Sequence, residues 1–295
     1  MFDRIMGRYL VSKGRLSKDQ LSVVYQIQES KRAKLGVIAV TEKLMTVAQA
    51  EEINALQATM DKRFGDLAIE RGYLSNIQVG RLLSLQGDEF LTFTSAIVER
   101  GYLSLEDVNQ VIADYQHDKG LTDSQMESLK RGDIDAIVPI FLDKLEPEYV
   151  ALFKYGIKNM YRLVDAHICI DKACTMHDLK EECVSYQQFR GDINATVALA
   201  GSSGAIQKMA KSYTREEFIE TQEDALDAMC ELINCINGLY ATDKSKQGLK
   251  IELEPPTFIT GFSELSGDDM HVIPIYSGEE VVYFIVSINS EVDIK

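Results

Sequence analysis

Glu70–Ser75 reads ERGYLS, and Glu99–Ser104 reads ERGYLS again. The copies stand 29 residues apart, and the same step backward finds two weaker ones. Aligned, the four run IMGRYLVSKGRLSKDQLSVVYQIQ (5–28), KLGVIAVTEKLMTVAQAEEINALQ (34–57), RFGDLAIERGYLSNIQVGRLLSLQ (63–86) and TFTSAIVERGYLSLEDVNQVIADY (92–115). A fixed period of this kind marks one supersecondary unit, repeated. A unit of 29 residues cannot bury its own apolar face, so stacking of the copies on one another is obligatory.

Each unit parses as two short helices. Leu67, Ala68 and Ile69 supply the apolar side of the first, and Gly72 stands where a helix ends in a left-handed residue. Ser75 then caps the second helix with Gln78 three residues on, a capping box that Ser17 with Gln20 and Thr46 with Gln49 repeat and Ser104 with Asp107 varies. Val79, Leu82 and Leu83 carry the apolar side of the second helix. The expectation is an all-α helical repeat domain over 1–116, with about eight helices.

The motif Lys34-Leu35-Gly36 with Gln57, and Arg63-Phe64-Gly65 with Gly72 and Gln86, resembles the N-terminal MshEN module of type II secretion ATPases. The resemblance covers about residues 5–115 and is strongest in the middle pair of copies. Ile5 and Thr92 stand where the outer copies would need the basic residue, Lys43 replaces a Gly and Tyr115 replaces the last Gln. Tandem modules of that family bind cyclic di-GMP, so the resemblance implies this nucleotide as a possible partner. Read from the residues themselves, the same positions are helix-end glycines, capping residues and core, which makes the repeats a docking or regulatory arm. They hold no paired acid and nucleophile.

Charge is unevenly placed across the 295 residues. Residues 1–120 carry 15 Lys and Arg against 16 Asp and Glu, a balance of −1, whereas the rest carries 16 against 30, a balance of −14. An acidic half argues against duplex nucleic acid, which needs a basic surface. No apolar run approaches the roughly 20 residues that span a bilayer, and the start, MFDRIMGRYLVSKGRL, has no apolar signal core. The expectation is a cytoplasmic protein with no membrane partner. Five cysteines form no disulfide framework, and Cys169, Cys174, His177 and Cys183, with His167, have spacing that fits no common zinc knuckle. No metal or cofactor of the chain's own is expected.

Residues 117–145 are polar and charged, without a 29-residue echo, and read as a linker. From 146 to 295 the grammar is mixed. Residues 147–164 read as an amphipathic helix, HICI (167–170), CVSYQQF (183–189) and ATVALA (195–200) as strands, 203–212 as a short helix and 216–241 as a long one. LKIELE (249–254), TFITG (257–261), HVIPIY (271–276) and EVVYFIVSI (280–288) read as further strands, giving an α+β sandwich domain.

On the long helix Ile219, Leu226, Met229, Ile233, Ile236 and Tyr240 recur at core spacing. Asp227, Glu231, Asn234 and Gly238 project from the opposite face, a polar stripe ending in a residue with no side chain, where a partner can approach closely. Glu-x-x-Asn alone says little, for it recurs at Glu51/Asn54 and Glu106/Asn109 inside the repeats, and its ordinary meaning is a solvated helix face.

Asp227, Glu231 and Asn234, followed after 21 intervening residues by Pro256 in ELEPPTFITG, resemble the motif of the CheC/CheX/FliY chemotaxis phosphatases, over about residues 147–290. A single motif looks more like CheX than CheC, since Gly156 stands where a second would need Glu ahead of Asn159. The resemblance implies a CheX-like fold and hydrolysis of phospho-aspartate on a CheY-like response regulator that holds its own Mg²⁺. Glu231 and Asn234 would be the catalytic pair, with Asp227 in support. The rival reading is a non-catalytic regulatory or cyclic di-GMP-sensing binding protein. The resemblance implies a homodimer joined through strands, and the strand EVVYFIVSI, too apolar to leave as an open edge, points the same way.

Overall fold

The computed structural model describes all of the 295 residues except 58, 61, 143, 144 and 216–218. The chain divides into two compact units, Phe2–Met126 and Glu127–Lys295.

The first unit is built from α1 (Phe2–Ser12), α2 (Lys18–Ser30), α3 (Leu35–Thr41), α4 (Val47–Gln57), α5 (Phe64–Glu70), α6 (Asn76–Ser84), α7 (Glu89–Glu99) and α8 (Leu105–Lys119), two helices to each repeat. Ser17–Gln20, Ser75–Gln78 and Ser104–Asp107 form reciprocal capping boxes. Thr46 and Gln49 make the same exchange, at 2.8 and 3.2 Å. The turn between paired helices holds Gly14, Gly72 and Gly101 at φ of +65°, +73° and +67°. In the second repeat Lys43 adopts the same conformation, at φ +57°. A side chain there costs about 1 kcal/mol relative to Gly. Lys43→Gly is therefore expected to stabilise the helical unit by about that amount, read as a higher urea midpoint of the far-ultraviolet signal.

The repeats pack in pairs. The first packs on the fourth through α2 and α7, and the second on the third through α4 with α5 and α3 with α6. Side chains at the ends of the second helices tie each pair: Gln28 Nε2 donates to Glu89 O at 3.0 Å, Gln57 Nε2 to Lys62 O at 3.3 Å, and Gln86 Nε2 to Ala33 O at 3.0 Å. At the fourth such position Tyr115 instead stacks edge-on against Tyr9 and Phe2. The inner pair has an aliphatic core of Ile38, Ile53, Leu67 and Leu82. The outer pair has an aromatic cluster of Phe2, Phe90, Phe93 and Tyr115. The copies thus stack as expected, and they do so as two nested pairs, because the first and last bury their faces on each other. The departures in the outer copies are core residues of the outer pair.

The second unit begins within α9 (Asp123–Arg131) and continues with α10 (Ile134–Phe141) and α11 (Pro147–Asn159), which runs into one π-helical turn, Met160–Val164. The stretch 117–145, read as a linker, therefore holds the last turn of α8, all of α9 and all of α10. Asp133 caps α10 through Asp135 N, and Ile137, Val138 and Phe141 are buried. Polar composition hid these elements because each buries only a few residues.

β1 (Cys169–Ile170), β2 (Cys174–Gly191), β3 (Ala195–Gly201), β4 (Ile251–Leu253), β5 (Thr257–Ser277), β6 (Glu280–Ile288) and β7 (Asp293–Ile294) form one antiparallel sheet. Its path is β1-β5-β6-β3-β2-β4, and β5 also pairs β2, so β2, β3, β6 and β5 close a circuit. Val184, Ala198, Ala200, Met270, Val272 and Ile285 form an apolar core on one face. The other face carries the helices α11, α12 (Ser203–Thr214) and α13 (Gln222–Lys246). β6 lies between β3 and β5, not at an edge. Its apolar sequence serves the sheet interior, and that ground for expecting a homodimer is withdrawn. The path ends in strands of two and three residues, too short to invite pairing.

On α11 the position three residues ahead of Asn159 is closely packed. A Cβ on Gly156 would lie 2.1 Å from the ring of the fully buried Phe284, and Asn159 Nδ2 donates back to Tyr155 O at 2.8 Å. The position that would need Glu is pressed against the sheet. Gly156→Ala is expected to destabilise the unit by about 1–3 kcal/mol through overpacking, measured by chemical denaturation.

Candidate active site

α13 is the longest helix among the described residues and the one that carries the polar stripe. Thr221 caps it in a box with Asp224. The expected start at 216 falls partly outside the described residues (216–218), and Ile219 is buried but precedes the helix. Leu226, Met229, Ile233, Ile236 and Tyr240 are each completely buried, as the spacing requires. Two anchors fix the helix to the rest of the unit. Ser185 Oγ on β2 donates to Leu226 O at 2.9 Å, and Lys244 bonds Glu148 on α11 at 2.5 Å, with Tyr240 donating to the same carboxylate at 2.7 Å.

Asp227, Glu231 and Asn234 are exposed together on the outward face, with Gly238 half-buried beyond them. Among the described residues neither Asp227 nor Glu231 has an ion pair or a side-chain hydrogen bond, so the Glu231 carboxylate is available to a cation from outside. Tyr213 of α12 lies beside this face. Burial pushes its phenol up, and Cys235 and the Glu231 carboxylate add to the shift. Behind the stripe, burial pushes the Cys230 thiol up to about 11, which leaves it a neutral core group.

Asn234 is held where the other two are free. Its Oδ1 accepts from Gln187 Nε2 at 2.8 Å. Gln187 is 1% exposed and stands on β2, two residues after Ser185 on the helix-facing side. The same Nε2 donates to Glu254 O at 2.8 Å, and Gln187 Oε1 accepts from the fully buried Asn237 Nδ2 at 2.9 Å. Glu254 is followed by Pro255 and Pro256, in the connection from β4 to β5. That connection thus lies beside Asn234, and its two prolines bring no N–H that would need a partner.

The other Glu-x-x-Asn pairs differ at this point. Glu51, Asn54, Glu106 and Asn109 are exposed on α4 and α8, and among the described residues neither asparagine has a side-chain hydrogen bond. Residue spacing missed Gln187 and Asn237. The available signal was a glutamine on the buried alternation Cys183-Ser185-Gln187-Phe189, and an asparagine next to Ile236 in the core stripe.

Lys34 lies 3.7 Å from Glu99, which Lys31 also pairs at 3.0 Å. Gly36 and Gly65 admit close packing, with a Cβ on them meeting Phe64 at 3.0 Å and Val79 at 2.8 Å, and Arg63 is the N-cap residue of α5. Cys169 and Cys183 are buried, Cys174 is exposed, and among the described residues no group of three or more His, Cys, Asp or Glu could hold a metal ion. No described helix is long and apolar enough to cross a membrane.

No curated protein matches the chain. Among solved structures, the chemotaxis protein CheX of Desulfovibrio desulfuricans is similar at 12% identity and a TM-score of 0.43, covering 49% of this chain and 100% of that one. A CheC-like superfamily protein of Shewanella sp. PV-4 is similar at 13% identity and 0.43, covering 49% and 99%. A chain of the CheX–CheY–BeF₃–Mg²⁺ complex of Borrelia burgdorferi is similar at 13% and 0.42, covering 48% and 97%. Residues 183–275, which run from the middle of β2 through α13 and the diproline connection into β5, match the family described as chemotaxis phosphatase CheX.

Proposed function

We propose that the second unit hydrolyses the phospho-aspartate of a CheY-like response regulator, with Asn234 and Glu231 as its catalytic residues and Asp227 in support. The observation that carries this reading is the pairing of a free carboxylate with a fixed carboxamide on one exposed helix face. Asn234 Oδ1 keeps a lone pair beyond the one that Gln187 uses, and Nδ2 keeps its donors. Such a group can hold a water by accepting one of its protons while donating to a phosphoryl oxygen. The water oxygen forms a bond to phosphorus, the bond from phosphorus to the aspartyl oxygen breaks, and the water's proton leaves with phosphate or solvent. Aspartate and inorganic phosphate are the products. Glu231 is suited to pair with the lysine of the regulator's acyl-phosphate pocket, which holds the partner in register. Mg²⁺ is the regulator's own. In-line placement of water is most of what such a transfer requires. The match of residues 183–275 to the CheX family supports the same reading.

The experiment is to incubate the protein with a regulator phosphorylated with ³²P in Mg²⁺. Phosphate release is expected to exceed the spontaneous rate and to scale with the amount of protein, with no label transferred to this chain. A labelled chain would replace water attack with a covalent intermediate. An unchanged rate would leave the site as a docking surface.

A further inference from the structure

We propose that Gln187 is a positioning residue of this site, one that fixes which atom of the Asn234 carboxamide faces outward. The assignment follows from hydrogen-bonding capacity. Glu254 O is a backbone carbonyl and can only accept, so the group of Gln187 that lies 2.8 Å from it must be Nε2. That same Nε2 lies 2.8 Å from the Asn234 carboxamide, so the atom of Asn234 turned toward it must be the acceptor Oδ1. Nδ2 of Asn234 is thereby directed away from the protein. Gln187 is itself fixed from behind, because its Oε1 accepts from Asn237 Nδ2 at 2.9 Å. Both donors and one lone pair of Gln187 are thus engaged, in a site that is 1% exposed.

Burial makes this orientation stringent. Turning the Gln187 amide over would set its oxygen against Glu254 O and its nitrogen against Asn237 Nδ2, two mismatches without water to relieve them. Asn237 could turn over with it, since among the described residues its Oδ1 has no partner to lose, so the acceptor-only carbonyl of Glu254 is what holds the orientation. One glutamine on β2 therefore joins the catalytic helix α13 to the diproline connection between β4 and β5. It gives the exposed Asn234 a single orientation that an ordinary surface asparagine lacks.

The catalytic part of this inference rests on the phosphatase reading above, whereas the positional part does not. Gln187→Met keeps length and removes every hydrogen bond. Gln187→Glu keeps an acceptor for Asn237 and offers Asn234 an acceptor in place of a donor, which turns its Nδ2 inward; it also sets a carboxylate oxygen against Glu254 O, so its fold is checked first by circular dichroism. In the unmodified protein the Asn234 side-chain amide is expected to be rigid by NMR relaxation, with an order parameter of about 0.8, and to fall below about 0.6 in Gln187→Met. Turnover on the phosphorylated regulator is expected to fall about tenfold in Gln187→Met, with KM moved by less than about twofold, because alignment and not partner binding is lost. In Gln187→Glu, Asn234 is expected to stay ordered while turnover falls as far, the signature of a group that is held but reversed.

An Asn234 amide that is already mobile in the unmodified protein overturns the proposal, whatever the variants do and even if they fail to fold. So does Gln187→Met with Asn234 still ordered, or with Asn234 mobile and turnover unchanged. If the unmodified protein shows no turnover at all, the phosphatase reading fails by itself. The order parameters of unmodified protein and Gln187→Met then decide the positional claim.

Discussion

Asn234→Ala is expected to lower turnover on the phosphorylated regulator about 100-fold while leaving regulator binding within about twofold. In the proposed mechanism the substitution removes the group that aligns water and nothing that the partner needs for docking, so the loss belongs to kcat. Fold stability should stay within about 1 kcal/mol, because Asn234 is exposed and water replaces it as the acceptor for one Gln187 N–H. The measurement is steady-state phosphate release beside a direct binding titration with a non-hydrolysable phosphoryl mimic on the regulator. A rise in KM at constant kcat would make Asn234 a docking residue.

Glu231→Ala is expected to weaken regulator binding about tenfold and to reduce kcat/KM by more, because in the proposed mechanism it removes a charge-assisted contact that both holds the partner and sets its register. Ionic strength provides the second readout. Binding by the unmodified protein should weaken as salt rises from low to physiological, and binding by Glu231→Ala should depend on salt less steeply. Equal salt dependence in the two proteins would remove Glu231 from the interface. The prediction is a clean one because Glu231 is exposed and has no ion pair within the described residues, so its loss disturbs nothing inside the unit.

What the sequence made legible was local. Capping boxes at Ser17, Ser75 and Ser104 and the left-handed turns at Gly72 and Gly101 are satisfied within a few residues, so their patterns can be read without tertiary knowledge. The stripe of α13 was legible for the same reason, since helix period fixes which residues share a face. Which repeat faces which was not legible. A period states that units are alike, and it takes the packing of α2 on α7 and of Tyr115 on Phe2 and Tyr9 to show that the ends close on each other. β6 was recognised as a strand, but its place between β3 and β5 depends on pairing across long separations. The Asn234–Gln187 bond joins residues 47 apart in sequence and could not be seen from α13 alone.

That bond is also what separates Glu231 and Asn234 from the two other Glu-x-x-Asn pairs of the chain, and it sets the most direct test of the account. Phosphate release from one labelled regulator should be measured side by side for the unmodified protein, Asn234→Ala and Asn54→Ala. The expected result is acceleration over the spontaneous rate by the unmodified protein, the same acceleration by Asn54→Ala, and a loss of about 100-fold in Asn234→Ala alone. Acceleration that survives in Asn234→Ala, or that is absent from the unmodified protein, would contradict it.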